Sequence, residues 1–228
     1  MNYGYYNEDL DISLQKNDEI ERYPIQLYQH LCIQTELKDK IIVEVGSGRG
    51  GGANFIARYH SPKLITGVDL SPNAISLCKN NYNLNNLNFI IGDSANLPFD
   101  DNSVDVVVNV ESSHCYPSIS DFISEVCRVL KPGGHFLYCD LVIESTLDDH
   151  LNKLKNNSLK EFQHVDITEN IIKASELMTD DRNKIINKVN SSFLRKVLKS
   201  FASVKGSKIY KSFVDRHYRY VSLVAEKK

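Results

Sequence analysis

The stretch VEVGSGRGGGANF at residues 43–55 limits what this 228-residue chain can fold into more than any other part of it. An apolar run enters it and an amphipathic pattern leaves it, so it reads as strand, glycine loop and helix. Gly46, Gly48 and Gly51 satisfy G-x-G-x-x-G, while Gly46, Gly48 and Gly50 satisfy an alternating E-x-G-x-G-x-G register that begins at Glu44. Glycine is needed where the backbone turns tightly and a ligand lies against bare main chain. Nicotinamide, flavin and adenosyl cofactors all use such a loop, so the glycines alone do not separate them. Glu44 does. A carboxylate two residues ahead of the first glycine would repel a pyrophosphate and favour a ligand carrying an ammonium and a sulfonium.

Around this loop, strand and helix patterns alternate. KIIVEV (40–45), LITGVDL (64–70), LNFIIGD (87–93), VDVVVNV (104–110) and HFLYCDL (135–141) read as strands. Ser71 and Pro72 open a helix as N-cap and first residue. DFISEVCRVL puts Phe122, Ile123, Val126, Val129 and Leu130 on one helical face, and KPGG ends it. Residues 145–200 turn polar, rich in lysine and asparagine and helical in pattern, without Pro or Gly. The tail from 207 to 226 reads as two further strands. The expected fold is therefore α/β: a doubly wound, Rossmann-like, seven-stranded and mostly parallel sheet with helices on both faces and a helical insertion after strand five. One domain over 1–228 is expected, with an N-terminal helical lid at 1–40, a binding core at 41–141, an acceptor-shaping insertion at 145–200 and terminal strands at 207–226.

Five cysteines without a C-x-x-C pair fit reduced thiols and give no metal site. No basic n-region followed by an apolar stretch opens the chain and no apolar run approaches about 20 residues, so a cytoplasmic protein without a transmembrane segment is expected. Residues 1–149 carry 10 Lys and Arg against 21 Asp and Glu, and residues 150–228 carry 17 against 8. A basic third of this kind suits an acidic substrate, an anionic surface or nucleic acid. Because its charges are scattered, a dipolar surface is the simpler reading.

The candidate site residues stand at the ends of the expected strands, where ligands bind open α/β sheets. Asp69 ends the second strand about 20 residues after the glycines, where an acid accepts ribose hydroxyls. Asp93 and Ser94 end the third, where a carboxylate and a backbone N–H suit an adenine. NVESSHCYP (109–117) follows the fourth. Its Glu111 is a candidate for bonding cofactor or substrate, and His114, with an ordinary pKa of about 6.5, is the candidate general base. Asp140 ends the fifth strand and suits orienting an imidazole, binding a hydroxyl or acting as base itself.

In order and spacing, VEVGSGRGGG, GVDLSPNAI, GDSANLPF, SVDVVVNVESSHCYP and VCRVLKPGGHFLYCD resemble the motifs of class I S-adenosylmethionine (SAM)-dependent methyltransferases. MNYGYY, NVESSHCYP, DITENIIKA and SVKGSKIYKSF look like the phthiotriol/phenolphthiotriol dimycocerosates methyltransferase group, which O-methylates hydroxylated lipids. The resemblance implies that Glu44, Gly46, Ser47, Gly48 and Gly50 line the methionyl part of SAM, Asp69 and Leu70 its ribose, Asp93 and Ser94 its adenine, and that Asn109 and Val110 border the sulfonium. It implies SAM as cofactor and a small-molecule, lipid- or polyketide-like hydroxylated acceptor methylated at oxygen, with no nucleic acid as partner; a homodimer is compatible with it. Methylation at carbon or nitrogen of a quinone, sterol or amine, or a non-catalytic SAM-binding subunit, is the alternative. An NAD(P)-dependent oxidoreductase is disfavoured by Glu44 and by the lack of a suitable Tyr-x-x-x-Lys pair after the fourth strand.

Overall fold

A computed structural model describes residues 2–10, 12–155, 158–160 and 163–228. Seven strands form one sheet: β1 (Ile41–Val45), β2 (Leu64–Asp69), β3 (Leu87–Ile91), β4 (Val104–Val110), β5 (Leu130–Ile143), β6 (Gln163–Asp166) and β7 (Tyr218–Glu226). Their order is β3-β2-β1-β4-β5-β7-β6. Neighbours from β3 to β5 pair in parallel, and β7 runs antiparallel to both β5 and β6.

The strands alternate between two cores, as a pleat buried on both faces requires. Ile42, Ile65, Phe89, Val106, Val108, Leu137 and Cys139 face one side. There they meet α1 (Arg22–Cys32), α2 (Gly51–Tyr59) and α3 (Pro72–Asn81) through Leu27, Leu31, Phe55, Ile56, Ile75 and Cys78. Val43, Val45, Val68, Val107, Phe136 and Tyr138 face the other. They meet α4 (Ile119–Val129) and α5 (Leu147–Leu154) through Phe122, Val126, Leu151 and Leu154. The expected cap of α3 forms: the Ser71 side chain accepts from Ala74 N, with Pro72 at the first turn.

The C-terminal third departs from expectation. Of the two strands expected over 207–226, only β7 forms, and Lys208–Val214 is a helix, α8. Its sequence KIYKSFV looks β-rich, but Ser207 caps it by accepting from Tyr210 N, and Phe213 is fully buried on the core. The seventh strand is instead β6, inside the region read as wholly helical. The helix expected across 147–162 ends at Leu154. Beyond β6 lie α6 (Thr168–Asn187) and α7 (Ser192–Phe201). Among the insertion's apolar residues, Leu151, Leu154, Ile171 and Met178 are buried, Leu177 is exposed, and Phe162 lies outside the described residues. At the N-terminus, helix begins only at Lys16, and Asn2–Leu10 forms an irregular strap rather than a helical lid.

Candidate active site

The loop after β1 adopts the alternating glycine register. Gly46, Gly48 and Gly50 all have positive φ (74°, 52° and 78°), while Gly51 already opens α2. At Gly46 the demand is steric as well, since an added Cβ would lie 2.3 Å from Ser112 Oγ and 2.8 Å from Tyr116 Oη. A Cβ on Gly48 would meet nothing within 4 Å, so this face of the loop is open. Gly46, Ser47, Gly48, Val110, Glu111 and Asn2 contribute to the wall of a cleft of about 410 Å³.

Glu44 lies beneath the loop, 1% exposed, and Tyr28 Oη donates to its Oε1 at 2.6 Å. Burial pushes its carboxyl up to about 7. Asp69 is half-buried at the end of β2 and accepts from Gly48 N (2.7 Å) and Ser71 N (2.9 Å), which ties the glycine loop to the second strand. Leu70 beside it is 70% exposed. Asp93 is exposed and accepts from Ala95 N, with Ser94 half-buried next to it, so both stand on the open rim beyond β3. Glu44, Gly50, Asp69, Leu70, Asp93, Ser94 and Asn109 do not line that cleft, which extends from the glycine loop towards Tyr59 and Tyr82.

Asn109 stands at the end of β4. Its side chain is fully buried, and Nδ2 donates to Val45 O (3.0 Å) with Ser112 Oγ and Tyr116 Oη at 2.8 and 2.9 Å. Nδ2 therefore holds the 112–116 turn against β1. Glu111 leaves the strand in the left-handed region (φ 49°). Its Oε1 accepts from Tyr3 N (2.8 Å) and Tyr220 Oη (2.7 Å), and burial pushes the carboxyl up to about 7.

Asp140 and His114 come together. His114 Nδ1 lies 2.7 Å from Asp140 Oδ1, with the imidazole 37% exposed and the carboxylate at 0%. Asp140 also accepts from Leu141 N on Oδ1, and from Ser113 Oγ (2.6 Å) and His114 N (3.0 Å) on Oδ2. Two backbone N–H groups and the Ser113 hydroxyl donate to the carboxylate, with the His114 ring as its fourth contact. Its hydrogen bond holds the His114 imidazole above the ordinary histidine range. Sequence reasoning missed Tyr28, Tyr220 and Tyr138, the last of which lies 2.9 Å from Ser113 Oγ. For Tyr138 a signal existed, because it stands two residues from Asp140 on one face of β5.

Three buried polar atoms around the loop have no hydrogen-bond partner among the described residues: Glu44 Oε2, Ser47 Oγ and Asn109 Oδ1. Buried polar groups are rarely left so. Together with the bare face at Gly48, they fit a ligand that brings donors and positive charge to the loop, as the methionyl part of SAM does.

Comparison with known proteins agrees. Residues 43–138 match the family described as a methyltransferase domain. The fatty-acid O-methyltransferase of Mycolicibacterium smegmatis is 35% identical over 206 residues, covering 90% of this chain and 75% of that protein. The phthiotriol/phenolphthiotriol dimycocerosates methyltransferase of Mycobacterium tuberculosis is 37% identical over 206 residues, covering 90% and 76%. In fold, the chain matches geranyl diphosphate C-methyltransferase from Streptomyces coelicolor A3(2), solved with Mg2+, geranyl diphosphate and S-adenosyl-L-homocysteine. The TM-score is 0.72 at 18% identity, covering 100% of this chain and 91% of that one. The chain thus belongs to the class I SAM-dependent methyltransferases, within the group that contains the phthiotriol/phenolphthiotriol dimycocerosates and fatty-acid O-methyltransferases.

Proposed function

We propose that this enzyme methylates an oxygen atom of a lipid-like acceptor, with His114 as general base and Asp140 as the residue that orients it. The observation that carries the reading is the His114 Nδ1–Asp140 Oδ1 contact of 2.7 Å at the sheet edge that also holds the glycine loop. The names of the Mycolicibacterium and Mycobacterium relatives, which act on a fatty acid and on phthiotriols, support the acceptor class and the oxygen.

When bound, SAM supplies an electrophilic methyl group on a sulfonium. Gly46, Ser47, Gly48 and Gly50 would hold its methionyl part, with Glu44 beneath them and Val110 and Glu111 beside it. Asp69 and Leu70 would take the ribose, and Asp93 and Ser94 the adenine. The contribution of this chain is then alignment and proton removal. Asp140, already filled by donors, keeps the proton of His114 on Nδ1 and leaves Nε2 with a lone pair. That lone pair would take the proton of an acceptor hydroxyl, leaving its oxygen free to act as the nucleophile. The imidazolium so formed is stabilised by the buried Asp140 anion, and general-base help of this kind contributes about 10²–10⁴-fold. A carboxylate acceptor has no proton to lose, and the name of the M. smegmatis relative favours it as a second reading.

The test is product analysis. Purified protein with SAM is offered a long-chain fatty acid, a long-chain secondary alcohol and a long-chain amine, and mass spectrometry locates the methyl. A methyl ether or ester is the expected product. Methyl on carbon or nitrogen, or no transfer by protein that binds SAM, would overturn the proposal.

A further inference from the structure

Hydrogen bonding does not stop at Asp140. Ser113 Oγ lies 2.6 Å from Asp140 Oδ2 and 2.9 Å from Tyr138 Oη, and Tyr138 Oη lies 2.7 Å from His150 Nε2. Ser113, Tyr138 and Asp140 are all fully buried, and His150 is half-buried on α5. Two histidines are thus joined by an unbroken line of four side-chain contacts that ends on the candidate base.

The direction of every hydrogen follows from donor counting. The Ser113 hydroxyl donates its single hydrogen to Asp140 Oδ2. Ser113 Oγ must then accept from Tyr138, whose single hydrogen is thereby used. Tyr138 Oη must in turn accept from His150, which therefore carries a proton on Nε2. All the hydrogens point towards Asp140, from His150 on one side and His114 on the other. This polarity does not suit export of a proton from His114, because each hydroxyl would first have to reverse. It suits control of how much negative charge Asp140 presents to His114, since hydrogen bonds in a chain polarise one another.

We propose that His150, acting through Tyr138 and Ser113, is a positioning residue that tunes the basicity of His114. The proposal deepens, and for its catalytic meaning rests on, the reading of His114 as base. Donors on Oδ2 draw charge away from Oδ1 and so weaken the hold of Asp140 on the His114 proton. Removing the far end of the line returns that charge and makes His114 a stronger base that releases its proton less readily. The charged and titratable groups around the line are Glu111 and Asp140 near His114, Tyr116 near Tyr138, and Asp149, Lys153 and Asp140 near His150. Burial keeps His150 below the ordinary histidine range, so it serves as a neutral Nε2–H donor.

The measurement is the NMR titration of the His114 imidazole in the full-length protein, assigned by its absence in His114→Ala. Tyr138→Phe cuts the line without changing its shape, and His150→Leu removes the terminal donor. Both are expected to move the His114 titration upward, on the order of half a pH unit. The acidic limb of the kcat pH profile should move with it. His150→Gln, which keeps an N–H donor, should restore the wild-type titration. An unmoved His114 titration in folded Tyr138→Phe and His150→Leu would overturn the proposal. Turnover is not needed for this readout, so the two readings fail separately. A shifted titration with full turnover in His114→Ala would keep the line and remove the base. An unshifted titration with turnover lost in His114→Ala would keep the base and remove the line.

Discussion

The backbone N–H of Tyr3 donates to Glu111 Oε1 at 2.8 Å, joining the N-terminal strap to the end of β4 across 108 residues of sequence. Tyr220 Oη donates to the same oxygen, and Arg182 on α6 reaches the carbonyls of Asn2 and Tyr3. Glu111 thus belongs both to the cleft and to the strap beside it. Glu111→Ala removes both acceptor contacts, each worth about 1–3 kcal/mol once a buried partner is left unpaired. We expect faster amide exchange over residues 2–10 and SAM affinity weaker by about tenfold or more. Unchanged exchange in the strap would show that Glu111 does not anchor it.

The carboxyls of Glu44 and Glu111 are each raised by burial from 4.5 to about 7. A raised folded-state pKa favours the protonated fold, so this stabilisation is complete below pH ~4.5 and disappears as pH rises through about 7. Glu111→Gln keeps an acceptor for Tyr3 and Tyr220 but cannot ionise. The melting temperature of Glu111→Gln relative to wild type should therefore rise between about pH 5 and pH 7 and level off above that. In the proposed site SAM would bring positive charge to the same carboxyls, so its binding should release protons and tighten over that window. Calorimetry in buffers of different ionisation enthalpy reads the release. Proton-neutral, pH-independent binding would contradict both shifts.

Asp69 holds Gly48 N at 2.7 Å and Ser71 N at 2.9 Å, and it is the proposed partner of the ribose. Asp69→Ala should weaken SAM binding by about 10- to 100-fold, the range for losing hydrogen bonds to a charged group. Titration calorimetry gives the value, and wild-type affinity would remove Asp69 from the cofactor site.

Gly46→Ala puts a methyl group 2.3 Å from Ser112 Oγ at a φ of 74°. The left-handed backbone costs an L-residue about 1–2 kcal/mol before any clash. We expect loss of SAM binding with a lowered melting temperature. Gly51→Ala, where nothing lies within 4 Å and φ is not positive, should leave the fold intact and serves as the control.

The parts of the fold legible in sequence are those where local chemistry and burial agree. β1, β2 and β4 are buried on both faces and read as continuous apolar runs, and Ser71 with Pro72 states the start of α3 outright. β6 was not legible: QHVD has no apolar alternation of its own and is a strand only because β7 offers it an edge. α8 was misread because KIYKSFV is rich in β-formers, while the capping bond of Ser207 outweighs that propensity. In the site, the pairing of His114 with Asp140 was legible from strand ends on one edge of the sheet. The commitment of Asn109 to the 112–116 turn was not, since it depends on a tyrosine seven residues on and a carbonyl of another strand. His150 read as a scattered histidine because its partner, Tyr138, lies across the sheet–helix boundary.

The most direct test is His114→Ala assayed with an alcohol acceptor alongside SAM titration calorimetry. His114 does not line the cleft at the glycine loop, so SAM affinity should stay at the wild-type value. Turnover should fall by about 10²–10⁴-fold. In the wild type, kcat should rise with pH through a pKa above the ordinary histidine value of 6.5, because the base must be neutral and Asp140 holds its proton. Near-wild-type turnover by His114→Ala with the same acceptor would contradict His114 as the base.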